Sequence, residues 1–291
     1  MTTAKNVTAE IVTQPRAVER VIAGQPTSDG AGVKLTRVLT QPLQRRLDPF
    51  LMLDAFGTDN PQDYIGGFPD HPHRGFETVT YMLAGRMRHG DNQGNVGLLR
   101  PGSVQWMTAG RGIIHSEMPE QEEGLMQGFQ LWVNLPAKDK MNKPRYQDID
   151  PENVPVVERA DGTKVKVLVG SFDGASGPVT NVATDPTYLD ITLPAGVKAS
   201  VPVAAEHNAF GYVFEGTARI GSEAQLVDRG QLAVLSLGDG VTVEGGPKGG
   251  RLILVAGRPL REPVAKYGPF VMNTPAEIHQ AIADYQAGRF V

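Results

Sequence analysis

The segment Phe68-Pro-Asp-His-Pro-His-Arg-Gly-Phe-Glu-Thr-Val-Thr-Tyr81 places two histidines, His71 and His73, two residues apart. A later segment repeats this spacing with His115 and Glu117. On a β-strand, side chains at positions i and i+2 project from the same face. Two such strands side by side would aim three imidazoles and one carboxylate at a common point, which predicts a metal site.

Composition narrows the classes of protein to which the chain can belong. Its 291 residues suffice for two domains, and 34 glycines and 22 prolines are typical of short strands joined by tight turns. The absence of cysteine excludes disulfides and thiolate ligands. The net charge is -4 without a basic stripe, which argues against direct nucleic-acid binding. No apolar run is long enough for a bilayer and the first residues lack an apolar signal core, so a cytoplasmic location is expected.

Strand-like segments dominate the chain, so the predicted fold class is all-β. These segments alternate or run apolar, are rich in β-branched and aromatic residues, and end at Gly or Pro. The clearest of them cover residues 77–83, 128–134 and 164–169.

A polar stretch bounded by prolines predicts a linker over residues 137–151. The predicted domains are therefore an N-terminal domain over 1–136 and a C-terminal domain over 152–291. The second is expected to end in a short helix over about residues 275–287, because Thr274 is a good N-cap and Pro275 suits the first turn.

An internal repeat relates the two halves of the chain. Residues 100–112 align without a gap to residues 228–240, and three glycines coincide. The repeat acts as a control, because residues that serve only the fold should recur in the second copy. The positions aligned with the four candidate ligands instead hold side chains without a metal-binding group: Pro202, Ala204, Val243 and Gly245.

Four stretches resemble the pirin family, whose members are bicupins with two cupin barrels in one chain. The most specific is Pro101-Gly-Ser-Val-Gln-Trp-Met-Thr-Ala-Gly-Arg-Gly-Ile-Ile-His-Ser-Glu-Met-Pro119, and the others cover 68–81, 128–136 and 267–274. The resemblance implies two tandem jelly-roll-type β-barrels in a monomer. It also implies that the N-terminal barrel alone binds a metal, usually iron, through four ligands: His71, His73, His115 and Glu117.

The predicted donor set suits one divalent ion. Three neutral imidazoles and a carboxylate are compatible with Fe(II), Mn(II), Ni(II), Cu(II) or Zn(II), and the resemblance favours Fe(II). In an octahedral ion, four ligands leave two open positions, which is typical of a catalytic site. The alternative for His71 and His73 is a solvated pair in a proline-flanked turn.

Glu77 competes with Glu117 for the carboxylate position, since it lies four residues after His73 and returns to the same strand face. In most cupins a glutamate at this position is the ligand, whereas the resemblance to pirins assigns that role to Glu117. Glu77 is then expected to orient a histidine. The alternative is a salt bridge from Glu77 to Arg74 or Arg111.

The pocket residues are predicted less directly. Phe76 and Trp106 flank the ligand strands and are candidate pocket walls, with barrel core as the alternative. Arg74 and Arg111 could hold an anionic substrate, or could brace the fold. His89 lies in a turn-like segment, so a surface position is expected.

Two functions remain open at this stage. The resemblance implies a dioxygenase that cleaves a flavonol such as quercetin with dioxygen, releases carbon monoxide and uses Glu117 as the catalytic base. The alternative is a non-enzymatic, metal-loaded regulator that docks a metabolic enzyme or transcription factor. The acidic run from Glu117 to Glu123 is the feature that would favour it.

Overall fold

The structure, a computed structural model, describes residues 12–290 and is built mainly from antiparallel strands. In the described chain no helix has the length and apolar character needed to span a membrane. In chain order the strands are β1 (Val18–Ala23), β2 (Gln25–Asp29), β3 (Val33–Leu39), β4 (Phe50–Thr58), β5 (Phe68–His73), β6 (Phe76–Ala84), β7 (Met87–Asp91), β8 (Val96–Leu99), β9 (Val104–Thr108), β10 (Ile113–Pro119), β11 (Met126–Asn134), β12 (Arg145–Ile149), β13 (Val156–Glu158), β14 (Lys164–Val169), β15 (Ser171–Phe172), β16 (Ala175–Ser176), β17 (Thr187–Leu193), β18 (Lys198–Pro202), β19 (Asn208–Ile220), β20 (Gln225–Asp228), β21 (Gln231–Leu235), β22 (Gly240–Gly257), β23 (Ala265–Tyr267) and β24 (Phe270–Met272). The helices are α1 (Gln41–Gln44) and α2 (Pro275–Gln286), with 3-10 turns at Pro61–Asp63, Ala137–Asp139 and Pro151–Asn153.

The chain forms two compact units, and each is a cupin barrel. The first unit comprises Gly24–Asn153 and residues 260–290. It contains a seven-stranded sheet in the order β12-β9-β6-β11-β4-β3-β2 and a four-stranded sheet in the order β5-β10-β7-β8. Strand β6 lies inside the larger sheet, so its residues are buried on both faces over most of its length.

The second unit comprises residues 12–23 and Val154–Pro259, built on a nine-stranded sheet. The internal repeat is visible in its backbone, because the aligned Gly102 and Gly230 both adopt positive φ, 91° and 83°. Glycine is favoured there because it has no Cβ to clash. Val243, which aligns with His115, pairs with Ala199, and both are buried apolar residues.

The two units divide the chain differently from the predicted domains at 1–136 and 152–291. Residues 260–290 belong to the first unit, and residues 12–23 belong to the second. Strand pairing explains the second exchange, because β1 pairs with β21. The predicted helix is confirmed as α2, with a capping box between Thr274 and Glu277, but it lies in the first unit.

Residues 137–151, predicted as the linker, lie within the first unit. Strand β12 pairs with β9 and so extends the large sheet. Lys140 is only 1% exposed, and its ammonium group donates to the carbonyl oxygens of Gly75 and Val271 and to Asn134 Oδ1, at 2.7–3.0 Å. This lysine therefore ties three segments of the first unit together.

Candidate metal centre

Neighbouring strands β5 and β10 bring the three predicted histidines together. In their antiparallel register His115 lies opposite His71, and Ile113 lies opposite His73. One potential ligand atom from each of the three histidines lies within 4.8 Å of the other two. The ring centroids are 4.4 to 5.0 Å apart. The predicted convergence of these imidazoles therefore appears in the fold, and a solvated pair in a turn does not describe it.

The surroundings of the rings are those that metal-binding imidazoles need. His71 Nδ1 is 2.8 Å from the Pro69 carbonyl oxygen, which suits an Nδ1–H donor and leaves Nε2 free. His73 is hydrogen-bonded to the backbone of Pro269, and its Nδ1 is buried without a partner. Both ring nitrogens of His115 are likewise buried without partners.

Burial first, and then the neighbouring imidazoles, lowers the pKa of His73 and of His115 well below the ordinary value. Both rings are therefore neutral at pH 7 and have nitrogen lone pairs available for a metal. Buried donor atoms without hydrogen-bond partners are costly unless something satisfies them. The residues present thus fit one divalent ion.

Glu117 lies beside this cluster, buried to 3% exposure. A β-bulge follows His115, and Glu117 pairs with Phe68 of β5. Its Oε1 is 3.0 Å from the Thr80 hydroxyl, and Gln130 Nε2 donates to its Oε2 at 3.1 Å. Within residues 12–290, the set of mutually close donor atoms holds the three histidines without Glu117. Its role as a fourth ligand stays a prediction.

Glu77 occupies a different environment. It lies opposite Thr108 of β9, whose hydroxyl donates to Glu77 Oε1 at 2.6 Å. Burial raises the pKa of this carboxyl. The predicted salt bridge to Arg74 is wrong, because Arg74 pairs with Asp284. That Glu77 orients a ligand histidine also stays a prediction.

The two arginines near the ligands have structural surroundings. Arg74 is buried, donates from Nε to the Arg111 carbonyl oxygen and from Nη1 to Asp284 at 2.8 Å, and stacks on Phe290. Arg111 is exposed. Over the described chain, neither side chain lines the cavity at the histidines. Bracing of the fold, and not substrate binding, is the interpretation that the contacts of Arg74 support.

Replacing Arg74 with methionine is therefore expected to affect stability and not substrate binding. The change removes a buried charge-assisted hydrogen bond to α2, which costs about 2 kcal/mol of the free energy of unfolding. Urea denaturation measures that loss. An unchanged apparent affinity for the substrate should accompany it, and a large rise in KM without loss of stability would restore the substrate-binding interpretation.

A cavity of about 490 Å³ lies beside the candidate metal ligands, and His71, His73 and Glu117 contribute to its lining. The predicted walls Phe76 and Trp106 do not line it; both are at most 1% exposed and belong to the core. Phe76 still supports the site, because its ring packs on His73 at 4.9 Å between centroids. The apolar walls are Leu35, Met52, Phe56, Phe68, Met87 and Trp132.

Sequence reasoning missed part of this site. His89 is 1% exposed, not on the surface, because β7 places it opposite Glu117 in the small sheet. Lys266, Gly268 and Pro269 line the cavity although they follow the second barrel in the chain. Their stretch resembled a family motif, but nothing in its spacing located it beside the histidines.

Comparison with known proteins agrees with this fold. The Pirin family profile matches residues 32–133, and the profile described as Pirin C-terminal cupin domain matches 188–291. A pirin-like protein of Caulobacter vibrioides is 52% identical, over 94% of this chain and 99% of its own length. Human pirin is 45% identical, over 91% and 90%. The crystal structure of a quercetin 2,3-dioxygenase from Acinetobacter baumannii superposes with a TM-score of 0.88 at 32% identity, covering 94% of this chain and 98% of that one. The chain belongs to the pirin family.

Proposed function

We propose that this protein is a metal-dependent dioxygenase that opens the ring of a flavonol such as quercetin with dioxygen and releases carbon monoxide. One observation carries the proposal: three converging imidazoles, two of them buried with unpartnered nitrogens, lie beside an aromatic-lined cavity large enough for such a molecule, and His71 and His73 form part of its wall. A relative of known structure at 32% identity is named quercetin 2,3-dioxygenase, which supports this class of substrate.

His71, His73 and His115 would hold the ion, with Glu117 as the proposed fourth ligand. When bound, the ion supplies Lewis acidity, which lowers the pKa of an enol hydroxyl and favours reaction of the resulting anion with dioxygen. Fe(II) is the proposed metal; the donor set also accepts Mn, Ni, Cu or Zn.

Glu117 would take the proton of the enol, and its hydrogen bonds support this role. The Thr80 hydroxyl has one hydrogen but contacts two acceptors, Glu117 Oε1 at 3.0 Å and Gln130 Oε1 at 2.6 Å. With Glu117 ionised, the hydroxyl can satisfy only one of them well. Once Glu117 is protonated, it can donate to Thr80 while Thr80 donates to Gln130. The hydrogen-bond chain thus accommodates the abstracted proton, as a general base requires.

The aromatic walls would orient and protect the substrate. Trp132 lies 5.2 Å from His73 between ring centroids, with its indole lining the cavity. A flat flavonol can pack edge-on against this ring, since edge-to-face aromatic pairs are favourable. Apolar walls also keep water away from reactive intermediates.

Turnover of quercetin by metal-loaded protein tests the proposal. Under air, the wild-type protein should consume the flavonol, which is measured as a loss of its absorbance, and should form carbon monoxide. Under argon the absorbance should stay unchanged. Glu117→Gln should lower kcat about 100-fold, the typical effect of losing a general base. Glu122→Gln, at an exposed position, is the matched control. Equal rates with and without protein would reject enzymatic cleavage.

The regulatory alternative has less support from the fold. Of the acidic run proposed as a docking feature, Glu117 faces the cavity and Glu120 pairs with Arg88. Glu122 and Glu123 are exposed, which is the ordinary state of such residues. Partner capture by oxidised and reduced holoprotein remains the direct test of this alternative.

A further inference from the structure

The cavity has a basic side chain on the wall supplied by residues 260–290. Lys266 lies in β23, opposite Val271 of β24, and its side chain lines the same cavity as His71 and Glu117. The turn that follows it, at Gly268 and Pro269, lines the cavity too. Since the Pro269 backbone also forms a hydrogen bond with His73, the hairpin that carries Lys266 is attached to one of the candidate metal ligands.

Lys266 differs from Arg37, the other basic residue that lines the cavity, in how its charge is balanced. Arg37 Nε and Nη2 donate to the two carboxylate oxygens of Asp54 at 2.9 and 2.7 Å, and Nη2 reaches Asp29 at 3.0 Å. Two nitrogens of that guanidinium thus donate to carboxylates. Within residues 12–290, by contrast, Lys266 forms no salt bridge, and its ammonium group lies 4.9 Å from the centre of the Trp132 ring.

Among residues 12–290 the ammonium group therefore lies over an aromatic ring without a salt bridge, while the Asp54 carboxylate still attracts it. A cation over an indole gains favourable electrostatic energy but keeps its N–H donors available. Lys266 is an exposed residue, yet desolvation of its ammonium group, and then the Arg37 guanidinium, lowers its pKa, while the Asp54 carboxylate opposes this shift.

Trp132 lies between Lys266 and the candidate metal ligands. The Trp132 ring contacts the His73 ring at 5.2 Å between centroids and lies near Lys266 Nζ at 4.9 Å. A flat molecule that packs edge-on against Trp132 with one end at the histidines would present its other end to Lys266. This arrangement would provide polar contacts to a substrate at two points, and such contacts usually fix the orientation of a ligand in a mostly apolar pocket.

We propose that Lys266 is a specificity-determining residue that binds an anionic or strongly hydrogen-bonding oxygen on the pendant ring of the aromatic substrate, at the end remote from the metal-binding enol. This inference rests on the proposed function for the identity of the enol end. The class of ligand is a planar phenol whose second oxygen-bearing ring reaches the ammonium group. Charge-assisted hydrogen bonds of this kind are stronger than neutral ones.

The test compares two flavonols that share the enol but differ at the remote ring. Quercetin has a catechol there, and galangin has no hydroxyl. Binding to metal-loaded protein is measured without oxygen through quenching of tryptophan fluorescence, and turnover is measured separately under air. The variants are Lys266→Gln, Lys266→Arg and the exposed control Lys138→Gln.

Lys266→Gln should weaken quercetin binding about tenfold and galangin binding less than twofold. Lys266→Arg should restore most of the difference, and Lys138→Gln should match wild type. Equal weakening of both flavonols, or of neither, would overturn the role of Lys266. Selective binding without turnover by wild type would reject the proposed reaction alone, and no binding of either flavonol would reject both proposals.

Discussion

Replacing His115 with alanine is expected to abolish metal binding and to reduce turnover at least 100-fold. His115 is the most enclosed of the three imidazoles, fully buried with neither ring nitrogen partnered. Losing even an outer-shell partner of a metal ligand costs about 10- to 100-fold in affinity or activity, so losing a ligand should cost more. Metal content after dialysis, measured by mass spectrometry, checks the first effect, and oxygen-dependent loss of flavonol absorbance checks the second.

His279→Ala provides the control, because that histidine lies exposed on α2. It should keep wild-type metal content and turnover. The far-ultraviolet circular dichroism of His115→Ala should stay unchanged, since the substitution removes a polar ring and no backbone hydrogen bond. Full metal occupancy in His115→Ala would contradict the site.

Lys140→Met should be the most destabilising single substitution outside the apolar core. Burial lowers the pKa of Lys140 to about 8, so the ammonium form still predominates at pH 7 and donates all three hydrogen bonds. Methionine fills the space but leaves two carbonyl oxygens and Asn134 Oδ1 buried without a donor. Each unsatisfied group costs about 1–3 kcal/mol, and relief of the lysine's desolvation offsets part of the sum. A net loss of about 3 kcal/mol in the free energy of unfolding is expected.

Urea denaturation at pH 7 measures this loss, with Lys138→Met as the matched control. Lys138 is exposed and two residues away, so its substitution should change stability by less than about 0.5 kcal/mol. If both variants unfolded at the same urea concentration, the buried lysine would not tie the segments together.

Much of the metal centre could be predicted from residue spacing. The i, i+2 pairs determine that His71 and His73 share one strand face, as do His115 and Glu117. The absence of metal-binding side chains at the repeat-related positions indicated that these residues act together. Register is the part that spacing leaves open, and the structure shows His115 opposite His71.

The surroundings of the ligands were predicted less well, because strand alternation tells which residues share a face but not what that face meets. Phe76 and Trp106 were expected at the pocket but are enclosed in the core. Arg74 was a candidate for substrate binding but faces Asp284 of α2. Their partners come from distant segments, which local pattern does not identify.

The sequence by itself determined strand-rich segments in two related copies, one set of imidazoles and a capped terminal helix, because these depend on residue periodicity and on contacts a few positions apart. The two barrels were implied by the resemblance to the pirin family. Only the tertiary structure decided that residues 260–290 return to the first unit and supply Lys266 and Pro269 to the cavity wall. The same return provides Asp284 for Arg74 and the Val271 carbonyl for Lys140. Such contacts form between segments more than a hundred residues apart, where buried polar groups must find partners wherever the fold brings them.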